Sequence, residues 1–185
     1  MKHIVAIAGS PSENAKSTEL IRRVFLQLEA AGFTTKLISV RDISPQELIY
    51  GVEQDSPNLK KVTQHIERAA GVVIATPVYK AAYSGALKAF LDLLPQKALA
   101  GKVILPIMTA GSDKHLLAID YALKPVLTAL GATHILNGFF VSDERAKRDQ
   151  FGLLSLDDET EQRLGEQVEL LAASLSIALQ QEIEA

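Results

Sequence analysis

Apolar residues along the chain fall into short compact runs that alternate with longer helical repeats. Four runs rich in β-branched residues predict strands at residues 4–8, 35–40, 72–76 and 103–108, and a weaker run predicts a fifth at residues 133–140. Apolar positions with a period near 3.6 predict helices at residues 17–31, 56–70, 85–94, 114–130 and 158–181. Gly32 supplies a stop for the first helix, and Ser56 with Pro57 supplies a start for the second.

Strands that alternate with helices are typical of a parallel sheet covered on both faces. We therefore predict a single α/β domain over residues 1–185, with a flavodoxin-like, five-stranded parallel sheet of order 2-1-3-4-5. Ligands of such sheets bind at the carboxyl ends of the strands, near the point where the strand order reverses. The segments to inspect are residues 9–16, 77–84 and 109–115.

The composition excludes several classes of function. Hydrophobic residues make up 48% and charged residues 22% of the 185 residues, as in an ordinary globular domain. The net charge of −3 gives no broad electrostatic footprint for nucleic acid. The chain has no cysteine, which excludes disulfides, zinc–thiolate sites and thiol catalysis. Its apolar runs are too short for a signal-peptide core or a membrane span, so we expect a cytoplasmic protein with no membrane partner.

The first segment combines hydroxyl groups with a predicted helix start. The candidate phosphate ligands are Ser10, Ser12, Lys16, Ser17 and Thr18. They point to an anion because helix N-terminal amides and the helix dipole favour one, although an ordinary turn with a serine cap is the simpler alternative. The segment lacks the glycine patterns of dinucleotide folds and P-loops. The remaining candidate is a ligand that ends in a phosphate monoester and is bound without metal. Flavin mononucleotide (FMN) is such a ligand.

The second and third segments fit a large flat ring. The candidates in the second segment are Pro77, Val78, Tyr79 and Lys80, which offer a stiff apolar wall and nearby amides. The candidates in the third segment are Thr109, Gly111 and Ser112, which are small enough for the backbone to approach the other side of the FMN ring.

Two neighbouring residues keep alternative interpretations. Tyr83 is more simply a half-buried aromatic residue, and His115 either approaches the flavin or lies in solvent at a helix start. The three segments contain no Ser-His-Asp set, carboxylate pair or metal cluster, so we assign no catalytic residue and no metal. In hydride transfer between nicotinamide and flavin, the cofactors supply the reactivity and the protein orients them.

Three separated motifs resemble the NADPH-dependent FMN reductases. They are Gly-Ser-Pro at residues 9–11, Ala-Thr-Pro-Val-Tyr-Lys-Ala-Ala-Tyr-Ser-Gly-Ala-Leu-Lys at residues 75–88 and Asp-Tyr-Ala-Leu-Lys-Pro-Val-Leu at residues 120–127. Within that family the chain is most similar to the reductase component of the two-component alkanesulfonate monooxygenase system. The resemblance covers residues 1 to roughly 143, and residues 144–185 have no distinctive match. Lys16 stands where the family's phosphate loop often carries arginine, and a lysine binds phosphate as a point charge.

The resemblance implies an enzyme that reduces FMN with NADPH. The reduced flavin would then be released or passed to a flavin-dependent monooxygenase partner, which places the protein in sulfur metabolism. A preference for NADPH over NADH is implied by the family alone.

Pro125 lies inside the predicted fourth helix and must interrupt it. A proline there cannot donate to the carbonyl of Tyr121, at a cost of about 3 kcal/mol. The pattern predicts either a break or a π-turn at residues 121–124. Similar family members place a tyrosine-centred π-turn at a subunit interface. The resemblance therefore implies a homo-oligomer, a dimer or tetramer, with Tyr121 in the contact.

Two other functions share the predicted fold. One is a flavodoxin-type electron carrier, which is not an enzyme and is usually far more acidic than a net charge of −3. The other is a quinone or azo-dye reductase that retains its flavin. The sequence does not separate this second alternative from a flavin reductase.

Overall fold

The computed structural model of the protein describes residues 3–52 and 56–184, and the side chains of the last helix as far as residue 177. Its strands are β1 (His3–Ala8), β2 (Thr34–Ser39), β3 (Gly71–Tyr79), β4 (Ala82–Tyr83), β5 (Val103–Ala110), β6 (His134–Ile135), β7 (Phe139–Ser142), β8 (Ala146–Arg148) and β9 (Leu154–Leu156). Its α-helices are α1 (Lys16–Ala30), α2 (Pro45–Tyr50), α3 (Pro57–Arg68), α4 (Gly85–Asp92), α5 (Lys124–Ala129) and α6 (Asp158–Glu184).

The predicted sheet is confirmed. Its parallel strands run in the order β2-β1-β3-β5, and the fifth position is shared by β6 and β7. Gly138, with φ of +95°, lies at the break between these two strands. Residues 136–138 lie opposite residues 105–106, so the chain carries one extra residue there, as in a β-bulge. The single-domain prediction over residues 1–185 stays a prediction, and residues 1, 2, 53–55 and 185 of that range lie outside the described residues.

The two faces of the sheet bury separate apolar clusters. Val5 and Ile7 point to the face covered by α3, α4 and α5, whereas Ile4 and Ala6 point to the face covered by α1 and α6. This alternation follows from the period of two along a strand. Within the described part of the chain, no helix is long and apolar enough to span a bilayer.

The predicted interruption of the fourth helix is confirmed as a π-turn. The segment begins with a 3-10 turn (Asp113–His115), continues as a π-helix (Ile119–Leu123) and ends as α5. The amide of Lys124 donates to the carbonyl of Ile119, which is the i→i−5 bond of a π-turn. The wider turn places Pro125 in the first turn of α5, where a missing N–H is tolerated.

Two elements escaped prediction. The short helix α2 has a capping box from Ser44 and Glu47, and the hairpin of β8 and β9 follows the last strand of the main sheet. Each of these helices and strands is only a few residues long, which is too short for its apolar pattern to predict it.

A buried serine joins the carboxyl ends of β1 and β3. The Ser84 hydroxyl donates to the carbonyl of Gly9 and accepts from the amide of Leu87 at 3.0 Å, so it also caps α4. The Ser84 amide donates to Thr76 Oγ1 at 3.1 Å. The Gly9 amide in turn donates to the carbonyl of Ala75 at 2.7 Å. These bonds fix the first segment directly against the second.

Replacing Ser84 with alanine is expected to lower the free energy of unfolding by about 2–3 kcal/mol, measured by urea denaturation. The helix cap is lost, and the buried Gly9 carbonyl is left without its donor.

Ser56→Ala is the matched control. Ser56 is also buried and caps a helix, because its hydroxyl accepts from the amide of Leu59 at 3.2 Å. Its side chain also hydrogen-bonds the carboxylate of Glu47, which lies at the surface, so no buried group loses its donor in this variant. Loss of this cap should lower the free energy of unfolding by only about 1 kcal/mol. Equal losses in the two variants would contradict the joining role of Ser84.

Candidate functional site

The strand register brings the three candidate segments to one edge of the sheet. Ala8 at the end of β1 pairs with Ala75 of β3. Farther along, Pro77 of β3 pairs with Thr109 of β5. The segments therefore lie side by side at the carboxyl ends of three neighbouring strands, where a doubly wound sheet binds its ligands.

The first segment forms a tight loop that leads into α1. Ser10 is buried, and its hydroxyl accepts from the amide of Ser12 at 3.1 Å. A Cβ on Gly9 would lie 2.9 Å from Leu87 Cδ2 and 3.1 Å from the carbonyl oxygen of Ala75. Only glycine fits at this position, because the loop passes directly over the start of α4.

The N-terminus of α1 is open. Its cap residue, Ala15, makes no side-chain bond to the first turn, whereas Ser44, Ser56 and Ser84 cap the helices that follow them. The Thr18 amide donates to the carbonyl of Ala15 at 3.0 Å, so the amides of Lys16 and Ser17 are the first-turn donors left for a ligand. This end of a 15-residue helix therefore suits an anion.

Ser17 lies beside this open end. Its side chain is fully buried, and its hydroxyl has no hydrogen-bond partner among the described residues. A buried hydroxyl without a partner is unfavourable by roughly 1–3 kcal/mol, which a ligand oxygen at this position would relieve. Thr18 follows on the same turn and is half-buried, and Ser12 is exposed on the loop.

Lys16 is already engaged in the structure. Its ammonium donates to Asp143 Oδ1 at 2.8 Å and to the carbonyl of Ala146 at 2.6 Å. The Lys16 ammonium, which the sequence predicts as a phosphate ligand, therefore ties the start of α1 to the chain that follows β7.

Other charges around the first segment are also balanced. Arg41 lies 3.7 Å from Glu13, and Arg148 pairs with Glu19. Because these cations have acidic partners, the attraction of the loop for an anion comes mainly from the open helix end and its hydroxyl groups.

The second segment is a β-hairpin, which corrects the predicted loop at residues 77–84. Strand β3 does not end at Thr76 but continues to Tyr79, and β4 pairs back on it with Val78 opposite Tyr83. Pro77 does not end the strand, because it lies beyond the stretch of β3 that pairs with β1. Val78 and Tyr83 both pack against the core, whereas Tyr79 is 49% exposed.

The turn of this hairpin is strained. Lys80 and Ala81 have φ values of 50° and 67°, both in the left-handed region. Residues with a Cβ pay about 1–2 kcal/mol each in this region, and two-residue hairpins prefer Asn-Gly there. Strained turns of this kind cluster at functional sites, and the strain therefore supports Lys80 as a candidate site residue.

The third segment begins inside β5, which continues to Ala110. Thr109 is buried in the strand, and Ser112 leads into the 3-10 turn that contains the half-buried His115. A Cβ added to Gly111 would meet no atom within 4 Å. The backbone at Gly111 therefore borders open space that a ligand can approach.

The strand that follows brings a residue that sequence reasoning missed. Ser142 ends β7 beside Ala110, and its buried hydroxyl has no hydrogen-bond partner among the described residues. The side chain of the next residue, Asp143, accepts a hydrogen bond from the Lys16 ammonium, and its amide donates to the carbonyl of Ala110 at 2.8 Å. The fifth strand is predicted only as far as residue 140, whereas β7 continues to Ser142 and carries this serine to the edge of the site.

A cavity lined in part by two lysines lies at the opposite edge of the sheet from the three candidate segments. It has a volume of about 300 Å³ and includes Lys97 and Lys102 in its lining. The Lys102 ammonium donates to the carbonyls of Glu67 at 3.1 Å and Ala69 at 2.8 Å, and burial lowers the pKa of this lysine. Lys102 therefore satisfies the end of α3, and we assign it a structural role.

Comparison with known proteins shows the family to which the chain is similar. Residues 2–147 match the sequence model of a family described as NADPH-dependent FMN reductase. A protein of Escherichia coli K12 named FMN reductase (NADPH) is 46% identical over 142 residues, which cover 77% of this chain and 74% of that protein. A protein of the same name from Pseudomonas putida KT2440 is also 46% identical over 142 residues, covering 77% of this chain and 72% of its own.

A similar solved structure extends the likeness beyond residue 147. The apo form of the NADH:FMN oxidoreductase EMOB has a TM-score of 0.84 and 38% sequence identity. The superposition covers 94% of this chain and 90% of that one. Its coenzyme differs from the NADPH named for the two sequence relatives.

Proposed function

The chain belongs to the NADPH-dependent FMN reductase family, and we propose that it transfers a hydride from NADPH to FMN and then releases the reduced flavin. One observation carries the placement of the flavin: the open end of α1 lies beside the buried, unpartnered hydroxyl of Ser17. FMN, when bound, accepts a hydride from the nicotinamide coenzyme.

The phosphate of FMN would lie against the first segment. Ser17 Oγ and the amides of Lys16 and Ser17 would donate to its oxygens, and the hydroxyls of Ser10, Ser12 and Thr18 would complete the donor set. Lys16 contributes its backbone amide, while its ammonium is held by Asp143. These residues fit a phosphate because the buried Ser17 hydroxyl then gains the acceptor that it lacks.

The isoalloxazine ring would lie between the second and third segments. Pro77, Val78 and Tyr79 at the end of β3 would provide one wall, and Lys80 in the strained turn would offer its amide to the ring edge. Thr109, Gly111 and Ser112 would form the opposite side, where the open space at Gly111 could accommodate the ring edge. The nicotinamide would stack on the remaining face of the flavin, and we infer NADPH as the coenzyme from the family.

The balanced charges favour flavin as a substrate rather than a permanent group. An unpaired arginine fork would hold phosphate tightly, whereas Lys16 and Arg148 already bind acidic partners. Release of reduced flavin suits a protein that supplies a partner flavin-dependent monooxygenase, and we include this delivery in the proposed function.

Steady-state oxidation of NADPH at varied FMN concentration tests the proposed activity. We expect the purified protein to carry little flavin and its rate to saturate with added FMN, with kcat/KM higher for NADPH than for NADH. Stoichiometric flavin in the purified protein, with quinone reduction that needs no added FMN, would instead identify a flavin-retaining reductase. Negligible NADPH oxidation would identify an electron carrier.

Ser17→Ala tests the phosphate site. Since the hydroxyl has no partner among the described residues, its loss should leave the melting temperature of the FMN-free protein unchanged or higher. FMN affinity, measured by quenching of flavin fluorescence, should fall by about 1–2 kcal/mol because a bond to a charged group is lost. Riboflavin, which lacks the phosphate, should bind wild type and variant equally.

Thr160→Val is the control for this variant. Thr160 is likewise buried near a helix start, where its amide and its side chain both interact with the carboxylate of Asp157. It belongs to α6 and not to the first segment. Its replacement should not change FMN affinity. If Ser17→Ala also leaves the preference for FMN over riboflavin unchanged, the phosphate does not lie at α1.

The π-turn supports a second part of the proposal, a homo-oligomer. Tyr121 is 80% exposed, and Leu116 and Leu117 on the same segment are also exposed. Pro125 leaves the carbonyl of Tyr121 without its usual helical donor. An interface between copies would cover these apolar side chains.

Deleting Tyr121 should convert the π-turn to an α-turn, because Lys124 would then lie four residues after Ile119. We expect a smaller assembly by analytical ultracentrifugation. Tyr50→Ala is the control, since Tyr50 is 81% exposed on a different element. An unchanged mass after the deletion would show that Tyr121 is not an interface residue.

A further inference from the structure

We propose that Arg148 is a positioning residue for the flavin phosphate, and that the β8–β9 hairpin braces the phosphate loop through it. The inference rests on the phosphate site proposed above. Arg148 lies just past the matched family range, which ends at residue 147, and within the stretch whose sequence had no distinctive match.

Arg148 holds two pieces of chain together. One end of its guanidinium donates to the carbonyl of Gly152 at 2.6 Å, inside the turn of the hairpin. The other end donates to the carbonyl of Asn14 at 2.7 Å and to the carboxylate of Glu19. Asn14 lies in the phosphate loop and Glu19 in the first turn of α1, so one side chain fixes both to the hairpin.

These contacts matter through their geometry more than through their charge. An exposed ion pair such as Arg148 with Glu19 contributes little by itself. The bonds to two backbone carbonyls, in contrast, orient the loop that precedes the open helix end. Because Ala15 makes no side-chain cap bond, contacts from outside the helix hold the loop that leads to its first-turn amides.

Two more cations make the same connection. Lys16 reaches the carbonyl of Ala146 at the start of β8. Arg23, farther along α1, donates to Glu161 and to the carbonyl of Leu154 in β9. The hairpin is therefore tied to α1 at three places, and the tie from Arg148 is the one that reaches the loop before the helix.

The test compares the binding of FMN and riboflavin by fluorescence quenching. Arg148→Ala should weaken FMN binding by about tenfold, the size expected for bonds that hold a charged group's donors in place. Riboflavin binding should change by less than about twofold, because the ring site is untouched. The ratio of the two affinities separates positioning of the phosphate loop from general destabilisation, which would weaken both ligands together.

Two further variants complete the experiment. Arg145→Ala removes an arginine of similar exposure that pairs with Glu159 at 3.1 Å, and it should leave the affinity ratio at the wild-type value. Arg148→Lys keeps the charge but not the fork, so its ratio should lie between those of wild type and Arg148→Ala. A lysine variant that equals wild type would show that charge alone suffices and would overturn the brace.

The outcome with Ser17→Ala separates the two proposals. If Ser17→Ala lowers the affinity ratio and Arg148→Ala does not, the phosphate site stands and the brace is wrong. If neither variant lowers it, the phosphate lies elsewhere and the proposed site itself fails.

Discussion

The hydroxyl of Ser84 lies where the first two segments of the site meet, and it makes a cap and a strand connection at once. It satisfies the carbonyl of Gly9 while it holds the amide that starts α4. Because Gly9 has no Cβ, the loop after β1 can pass against Leu87 at van der Waals distance. The position of the phosphate loop relative to the hairpin of β3 and β4 depends on this buried contact.

The resulting edge is organised to bind rather than to react. Three of its features are available to a ligand. They are the uncapped helix N-terminus at Ala15, the buried and unpartnered hydroxyl of Ser17, and the backbone at Gly111, which borders open space. None of these groups is a general acid or base. Such an edge suits chemistry in which two cofactors exchange a hydride and the protein fixes their relative orientation. Its balanced charges also suit a flavin that enters and leaves.

Features that follow from local sequence were predicted well. The period of apolar residues located the main strands and helices, and Pro125 required the interruption that forms the π-turn. Features that depend on distant partners were not. The turn between β3 and β4 has Lys80 and Ala81 where a two-residue turn usually has Asn-Gly, so no local turn signal predicts this hairpin. The ammonium of Lys16 is drawn to Asp143, a residue 127 positions away, and no spacing rule links the two.

A crystal structure of the protein in complex with FMN tests the placement of the flavin most directly. We predict phosphate oxygens within hydrogen-bond distance of Ser17 Oγ and of the first-turn amides of α1, with the ring between the β3–β4 hairpin and Gly111. The Arg148 contacts to Asn14 and Gly152 should persist in the complex. A phosphate bound elsewhere, such as beside Lys97 and Lys102 at the opposite edge of the sheet, would contradict the proposed site.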